Sequence, residues 1–126
     1  MQDFKRLLVW QKAHTLFLTA NEVFTPRRTR AVPWLRSQIL RAAASIPANI
    51  AEGCAKPTSR EFSRFIDIAT ASSHELENHL IAARDIRLIS TDEFKRLEAL
   101  VVEVRRMLIG LVKAIRRQHK QQESAT

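Results

Sequence analysis

Phe94, Leu97, Val101, Val104, Leu108, Leu111 and Ile115 recur at alternating steps of three and four residues over three heptads. Only an α-helix lines up residues at that interval, and a seam so long must lie against another helix. Leu100, Met107 and Ala114 form a second seam beside the first, which predicts two packing partners for this helix. A chain built around such a rod folds as a helical bundle.

Three earlier segments supply the partners. Over residues 3–24, Trp10, Ala13, Phe17, Ala20 and Phe24 form an apolar stripe, flanked by Val9, Leu16 and Val23. Thr25-Pro26-Arg27-Arg28-Thr29-Arg30 interrupts it and reads as a basic loop. Over residues 33–56, Pro33 suits a first helical turn and Leu35, Ile39, Ala42, Ile46 and Ile50 form the apolar face. Pro47 falls inside this helix and predicts a kink, while Gly53 and then Pro57 read as its end. Thr58-Ser59-Arg60-Glu61 reads as a capping box in which Thr58 and Glu61 satisfy each other's amides. It opens a helix with Phe62, Phe65, Ile66, Ala69, Ser73, Leu76, Leu80 and Ala83 on one face, reaching about residue 88. Ser90-Thr91-Asp92-Glu93 is a second capping box, and the short gap before it makes an antiparallel helical hairpin. The expected fold is all-α: one antiparallel up-down-up-down four-helix bundle over residues 1–118, with a frayed polar tail over 119–126. Leu7, Leu8, Leu18 and Ile68 lie off the main stripes, which predicts an interface between copies of the chain.

Composition narrows the function. The chain has 126 residues, 45% apolar and 27% charged, as expected of one globular domain. Gly53 and Gly110 are its only glycines, too few for turn-rich sheet folds and too far apart for a phosphate-cradling loop. The single Cys54 excludes a disulfide framework, and no histidine is placed to activate its thiol. His14, His74, His79 and His119 show no metal-ligand spacing, and Glu75 with His79 lacks the Glu-x-x-His pattern of di-metal bundles. No catalytic constellation, cofactor or metal site is therefore expected. No stretch is apolar enough to cross a bilayer, and the N-terminus does not resemble a signal peptide, which together predict a cytoplasmic protein without membrane contact.

The formal net charge is +8, with nine basic against three acidic side chains over residues 1–56 and eight against five over 92–126. Such an excess favours a polyanionic partner. Arg27, Arg28 and Arg30 with Trp34 form one candidate contact, where the indole could stack on an unpaired base. Arg105, Arg106, Lys113, Arg116 and Arg117, followed by Lys120, form a second. The alternative is a solvated face that confers solubility alone. Gln38, Arg41, Ser45, Asn49 and Glu52 fall within about 80° of one another on the second helix, roughly 105° from its apolar face. This polar stripe suits either a hydrogen-bond network that fixes helix register, with Glu75 facing Arg41, or a ligand or RNA groove. Ala42, Ala43, Ala44, Ala48 and Ala51, with Ala69 and Ala71 in the third segment, predict close approach of the two helices.

Gln38-x-x-Arg41-Ala42-Ala43-x-Ser45-Ile46-Pro47-x-Asn49-Ile50-Ala51-Glu52-Gly53 resembles the four-helix bundle family of 23S ribosomal-RNA intervening-sequence proteins. Leu8-Val9-Trp10-Gln11-Lys12-Ala13, Glu61-Phe62-Ser63-Arg64-Phe65-Ile66 and Ser72-Ser73-His74-Glu75-Leu76-Glu77 are similar to it as well. The resemblance implies a homo-oligomeric ring, a pentamer, without enzymatic activity. It also implies kinship to accessory proteins of retroelement reverse transcriptases, whose basic ring contacts nucleic acid and protein. The family's signature polar residues correspond to Gln38, Arg41, Ser45, Asn49, Glu52, Ser73 and Glu75. The chain departs from the family at Ala71, usually glycine, and in its arginine-rich loop. The expected function is a non-catalytic, basic, oligomeric protein that binds nucleic acid, RNA rather than DNA. The alternative is a scaffold for a protein partner, its charge incidental.

Overall fold

The computed structural model describes residues 2–125. A 3-10 turn at Phe4–Arg6 leads into α1 (Leu8–Val23), α2 (Pro33–Cys54), α3 (Ser59–Asp85) and α4 (Thr91–Ala125), with no strand among the described residues. Consecutive helices pack on one another and α1 closes against α4, so α4 has the two partners its paired seams require. Leu16, Ile39, Ile46, Ile50, Ile66, Leu76, Leu80, Leu97, Val101 and Leu108 fill the centre.

The helices differ from the sequence expectation in register and at their ends. Asp3 Oδ1 accepts from the Lys5 amide at 3.1 Å and caps the short turn. Leu7 is then extended, so α1 begins at Leu8 rather than at residue 3. Val9, Ala13, Leu16, Ala20 and Phe24 are buried, whereas Trp10 and Phe17 lie half-buried at the margin. On α4 the buried line follows the predicted seam to Leu108 and then passes to Val112 instead of Leu111. A straight helix drifts about 20° per heptad from a 3.5-residue repeat, so after two repeats the next residue points inward. α2 runs unbroken through the buried Pro47. Gly53 does not end α2. It is buried within it, where an added Cβ would stand 3.0 Å from Phe62 Cδ1 and 3.1 Å from the Phe65 Cβ. Its role is close approach of α2 to α3.

α3 stops at Asp85, three residues before the predicted end. The Leu88 amide donates to the Ala83 carbonyl and that of Arg87 to the Arg84 carbonyl, each at 2.9 Å. This is a Schellman cap, and it requires a left-handed residue, here Arg87 with φ 62°. α4 continues to Ala125 where the sequence predicts fraying. Its Arg, Lys, Gln and Glu extend an existing helix without a new nucleation cost, and His119 Nε2 lies 3.1 Å from Glu123 Oε1 one turn on. Both capping boxes form, with a difference at the first: Thr58 Oγ1 accepts from the Glu61 amide at 3.2 Å, but donates to the Glu61 carboxylate rather than leaving it to the Thr58 amide.

The second box does more than cap. Glu93 accepts from the Ser90 amide at 2.9 Å and takes both terminal nitrogens of Arg28, at 2.7 and 2.5 Å. Arg28 Nε also donates to the Leu88 carbonyl at 3.0 Å, so one guanidinium ties the α1–α2 loop to the α3–α4 loop. The Arg28 hydrogen bonds, then the Ser90 amide, hold the Glu93 carboxyl down to about 2, from 4.5. A carboxyl depressed by folding contributes fully above its unfolded value and loses that contribution as pH falls. Glu93→Gln should therefore lower stability by about 1–2 kcal/mol at neutral pH. It should also flatten the decline of wild-type stability between pH 4.5 and about 2, read from denaturant midpoints across that range. Arg87→Gly should raise stability by roughly 0.5–1 kcal/mol in the same assay, because glycine adopts the left-handed cap without strain.

Candidate nucleic-acid interface and the polar stripe

The polar stripe of α2 divides into three parts. Arg41, with 67% of its side chain exposed, donates to Gln38 Oε1 at 2.5 Å and to Glu75 Oε1 at 3.0 Å, joining the flanks of α2 and α3 at the surface. One turn on, Ser45 Oγ meets Ser72 Oγ at 2.8 Å, and Asn49 Nδ2 donates to Ser45 Oγ at 3.0 Å and to its carbonyl at 2.8 Å. Glu52 is exposed and pairs with none of the described residues. The stripe therefore acts first as a crosslink between two helices. Ser72, which the spacing did not single out, is its buried anchor. Ala42, Ala43 and Ala69 are buried as close packing requires, whereas Ala48 and Ala71 are exposed.

Ser73 serves a different contact. It is fully buried, donates to the Thr70 carbonyl at 2.6 Å and accepts from Arg105 Nε at 2.9 Å. Arg105 also donates to the Ser73 carbonyl at 3.1 Å and to Glu77 Oε1 at 2.6 Å. Only 14% of the Arg105 side chain is exposed, so this arginine is a clamp between α3 and α4 rather than a phosphate contact. Arg28 is likewise engaged by Glu93 and the Leu88 carbonyl. Arg116 is exposed beside Asp67, at 3.2 Å.

Arg27, Arg30, Arg106, Lys113 and Arg117 remain, all exposed and pairing with none of the described residues. They do not make one patch. The Arg28–Glu93 and Arg116–Asp67 pairs set Arg27 and Arg30 at one end of the bundle and Lys113 and Arg117 toward the other, with Arg106 midway along α4. Along α4, residues 93 and 116 stand about 35 Å apart at 1.5 Å per residue. At the loop end, Arg27 and Arg30 are joined by Trp34, which is 63% exposed, and by Arg87 from the α3–α4 loop. Sequence reasoning missed Arg87, because its place beside the first loop depends on the bond from Arg28 to Leu88.

Other candidates resolve into structure. Cys54 is buried, and desolvation, followed by the charge of Asp3, pushes its thiol up, away from the nucleophilic thiolate. His79 Nε2 lies 3.5 Å from Glu75 Oε1, and His14 stacks on Trp10 with ring centroids 5.0 Å apart. Among the described residues, no three His, Cys, Asp or Glu side chains gather as a metal-binding group. No described helix is long and apolar enough to cross a membrane.

The family model described as 23S rRNA-intervening sequence protein matches residues 5–110, which covers α1, α2, α3 and α4 as far as Gly110 and includes the Arg28–Glu93 and Arg105–Glu77 pairs. The chain belongs to this family. A similar solved structure is that of a protein of unknown function from the S23 ribosomal protein family of Bacteroides thetaiotaomicron VPI-5482, determined at 1.70 Å. The two share 21% identity and a TM-score of 0.76, over 84% of this chain and 99% of the other. The helical fold is thus common to both. No curated protein sequence matches the chain.

The clamp and the free cations predict opposite phenotypes for adjacent arginines. Arg105→Ala strands a half-buried Glu77 carboxylate and should cost about 2–4 kcal/mol in chemical denaturation. Arg106→Ala should change stability by less than about 0.5 kcal/mol in the same titration.

Proposed function

We propose that this chain is a non-catalytic, basic, homo-oligomeric protein that associates with nucleic acid, RNA in preference to DNA. The observation that carries this reading is the sorting of its arginines. Arg105 is held between α3 and α4 and Arg28 is held at the surface by Glu93 and the Leu88 carbonyl, while Arg27, Arg30, Arg106, Lys113 and Arg117 stand in solvent without a partner among the described residues. Free cations on a firm surface suit phosphate contact, since little side-chain order is given up elsewhere to make it. The family is named for an rRNA intervening sequence, which favours RNA. Gln38, Arg41, Ser45 and Asn49 are taken up by hydrogen bonds within α2 and to α3, which supports binding rather than catalysis.

Leu8, Leu18, Ile68 and Ile109 are exposed to between 39% and 57%. They support association between copies, in the ring, a pentamer by resemblance, that the sequence suggests. The same residues favour the second reading, a scaffold for a protein partner, to which an accessory role beside a reverse transcriptase would also belong. Light scattering at micromolar concentration should return a multiple of 14.5 kDa, and a strict monomer would remove the ring.

RNA affinity should fall steeply with salt, each phosphate contact adding a slope of about −0.7 in log–log form on a single strand. Arg27→Glu with Arg30→Glu should lower both affinity and slope while leaving the melting temperature nearly unchanged. Arg28 is left intact in that variant because it holds the loop. A salt-independent titration would defeat the nucleic-acid reading and leave the scaffold.

A further inference from the structure

We infer that the loop end of the bundle is a site for an unpaired base, with the base stacked on Trp34 and the flanking phosphates met by Arg27, Arg30 and Arg87. This rests on the nucleic-acid reading and names the form of nucleic acid that the site accepts. Three observations lead to it.

Trp34 is the one exposed ring among the six phenylalanines and two tryptophans. Trp10 has Phe4 and His14 as ring partners, and Phe24 and Phe94 are buried. Nothing in the packing accounts for an indole left in water on the first turn of α2.

The surface beside it is braced. Thr25 Oγ1 accepts from the Arg28 amide at 3.1 Å, and Thr29, which is 1% exposed, donates to the Thr25 carbonyl at 2.8 Å. Arg36 Nε donates to the Phe24 carbonyl at 2.8 Å at the loop's entry. Thr29 is held inward and Arg28 is tied to Glu93 and the Leu88 carbonyl, which leaves Arg27 and Arg30 exposed with no partner among the described residues.

Arg87 breaks a local rule at the same end. It occupies the left-handed cap position that glycine fills best, and its side chain is exposed with no partner among the described residues. Strain kept where a better cap residue is available points to a role outside the cap. The neighbouring Leu88 carbonyl receives Arg28, so the loop that carries Arg87 lies against the loop that carries Arg27 and Arg30.

An exposed indole needs the face of a base, which a duplex hides in its stack and a single strand, loop or frayed end offers freely. The combination therefore selects unpaired nucleotides, whereas a purely electrostatic surface would bind duplex at least as well.

The test compares an unstructured single-stranded RNA with the blunt duplex of that strand, titrated into the full chain at physiological salt by fluorescence anisotropy and tryptophan quenching. The single strand should bind at least tenfold more tightly than the duplex. Trp34→Ala should lose about tenfold for the single strand, remove most of the quenching and leave duplex binding unchanged. Arg87→Gly should weaken single-strand binding several-fold although the protein melts higher, an outcome that misfolding cannot produce. Equal affinity for both forms, unaffected by Trp34→Ala, overturns this inference while the nucleic-acid reading stands. No salt-dependent binding of either RNA overturns both. A Trp34→Ala protein that keeps its RNA affinity but changes mass by light scattering makes Trp34 a protein contact and also overturns the inference.

Discussion

Arg28 bridges the two halves of the bundle with two hydrogen bonds to Glu93 and one to the Leu88 carbonyl. Burial of the apolar seams is strong but has no direction, and two smooth helical hairpins could slide past one another with little loss. Directional bonds remove that freedom. Arg28 fixes the loop end, the Ser45–Ser72 contact fixes α2 against α3, and Arg105 with Ser73 and Glu77 fixes α3 against α4. Each is a specific pairing at a defined height along the helices, so the three together define one register for a core that contact area alone would leave degenerate.

This division of labour explains what the sequence revealed. Helix number and order follow from periodicity and caps, which are local, and the structure agrees with them. The errors lie where a local signal competes with a distant one. Gly53 looks like a helix terminator because glycine often is one, yet its missing side chain makes room for Phe62 and Phe65 of another helix. The end of α3 reads three residues too long because its cap residue is Arg87, which carries none of glycine's signal. Leu111 loses its place to Val112 through an accumulated angular drift that a heptad count does not register.

The candidate site was harder to read, since charge in a sequence carries no direction. Arg105 and Arg106 are neighbours, and a basic run includes both, but 100° of helical rotation sends one into Ser73 and Glu77 and the other into solvent. Arg28 differs from Arg27 and Arg30 by its partners, since all three are exposed and Arg28 alone reaches Glu93 and the Leu88 carbonyl. The polar stripe was legible as a stripe, and the facing of Arg41 and Glu75 as a pair. Its division between a surface pair, a buried serine contact and a free Glu52 required the position of α3.

Local rules fail together at one place. An exposed indole gains nothing from burial and an arginine in a left-handed cap is strained, and both stand at the end that Arg28 ties together. Features that oppose stability persist independently of one another when they are scattered; gathered on one braced surface, they have a common cause. The opposite end shows the contrast. There α4 projects as a polar helix of good formers, with Arg116 beside Asp67 and His119 beside Glu123, and no described residue at that end has a left-handed backbone. Its charge can be explained by solvation alone. The loop end cannot be explained that way, because water has no need of an exposed indole or a strained backbone.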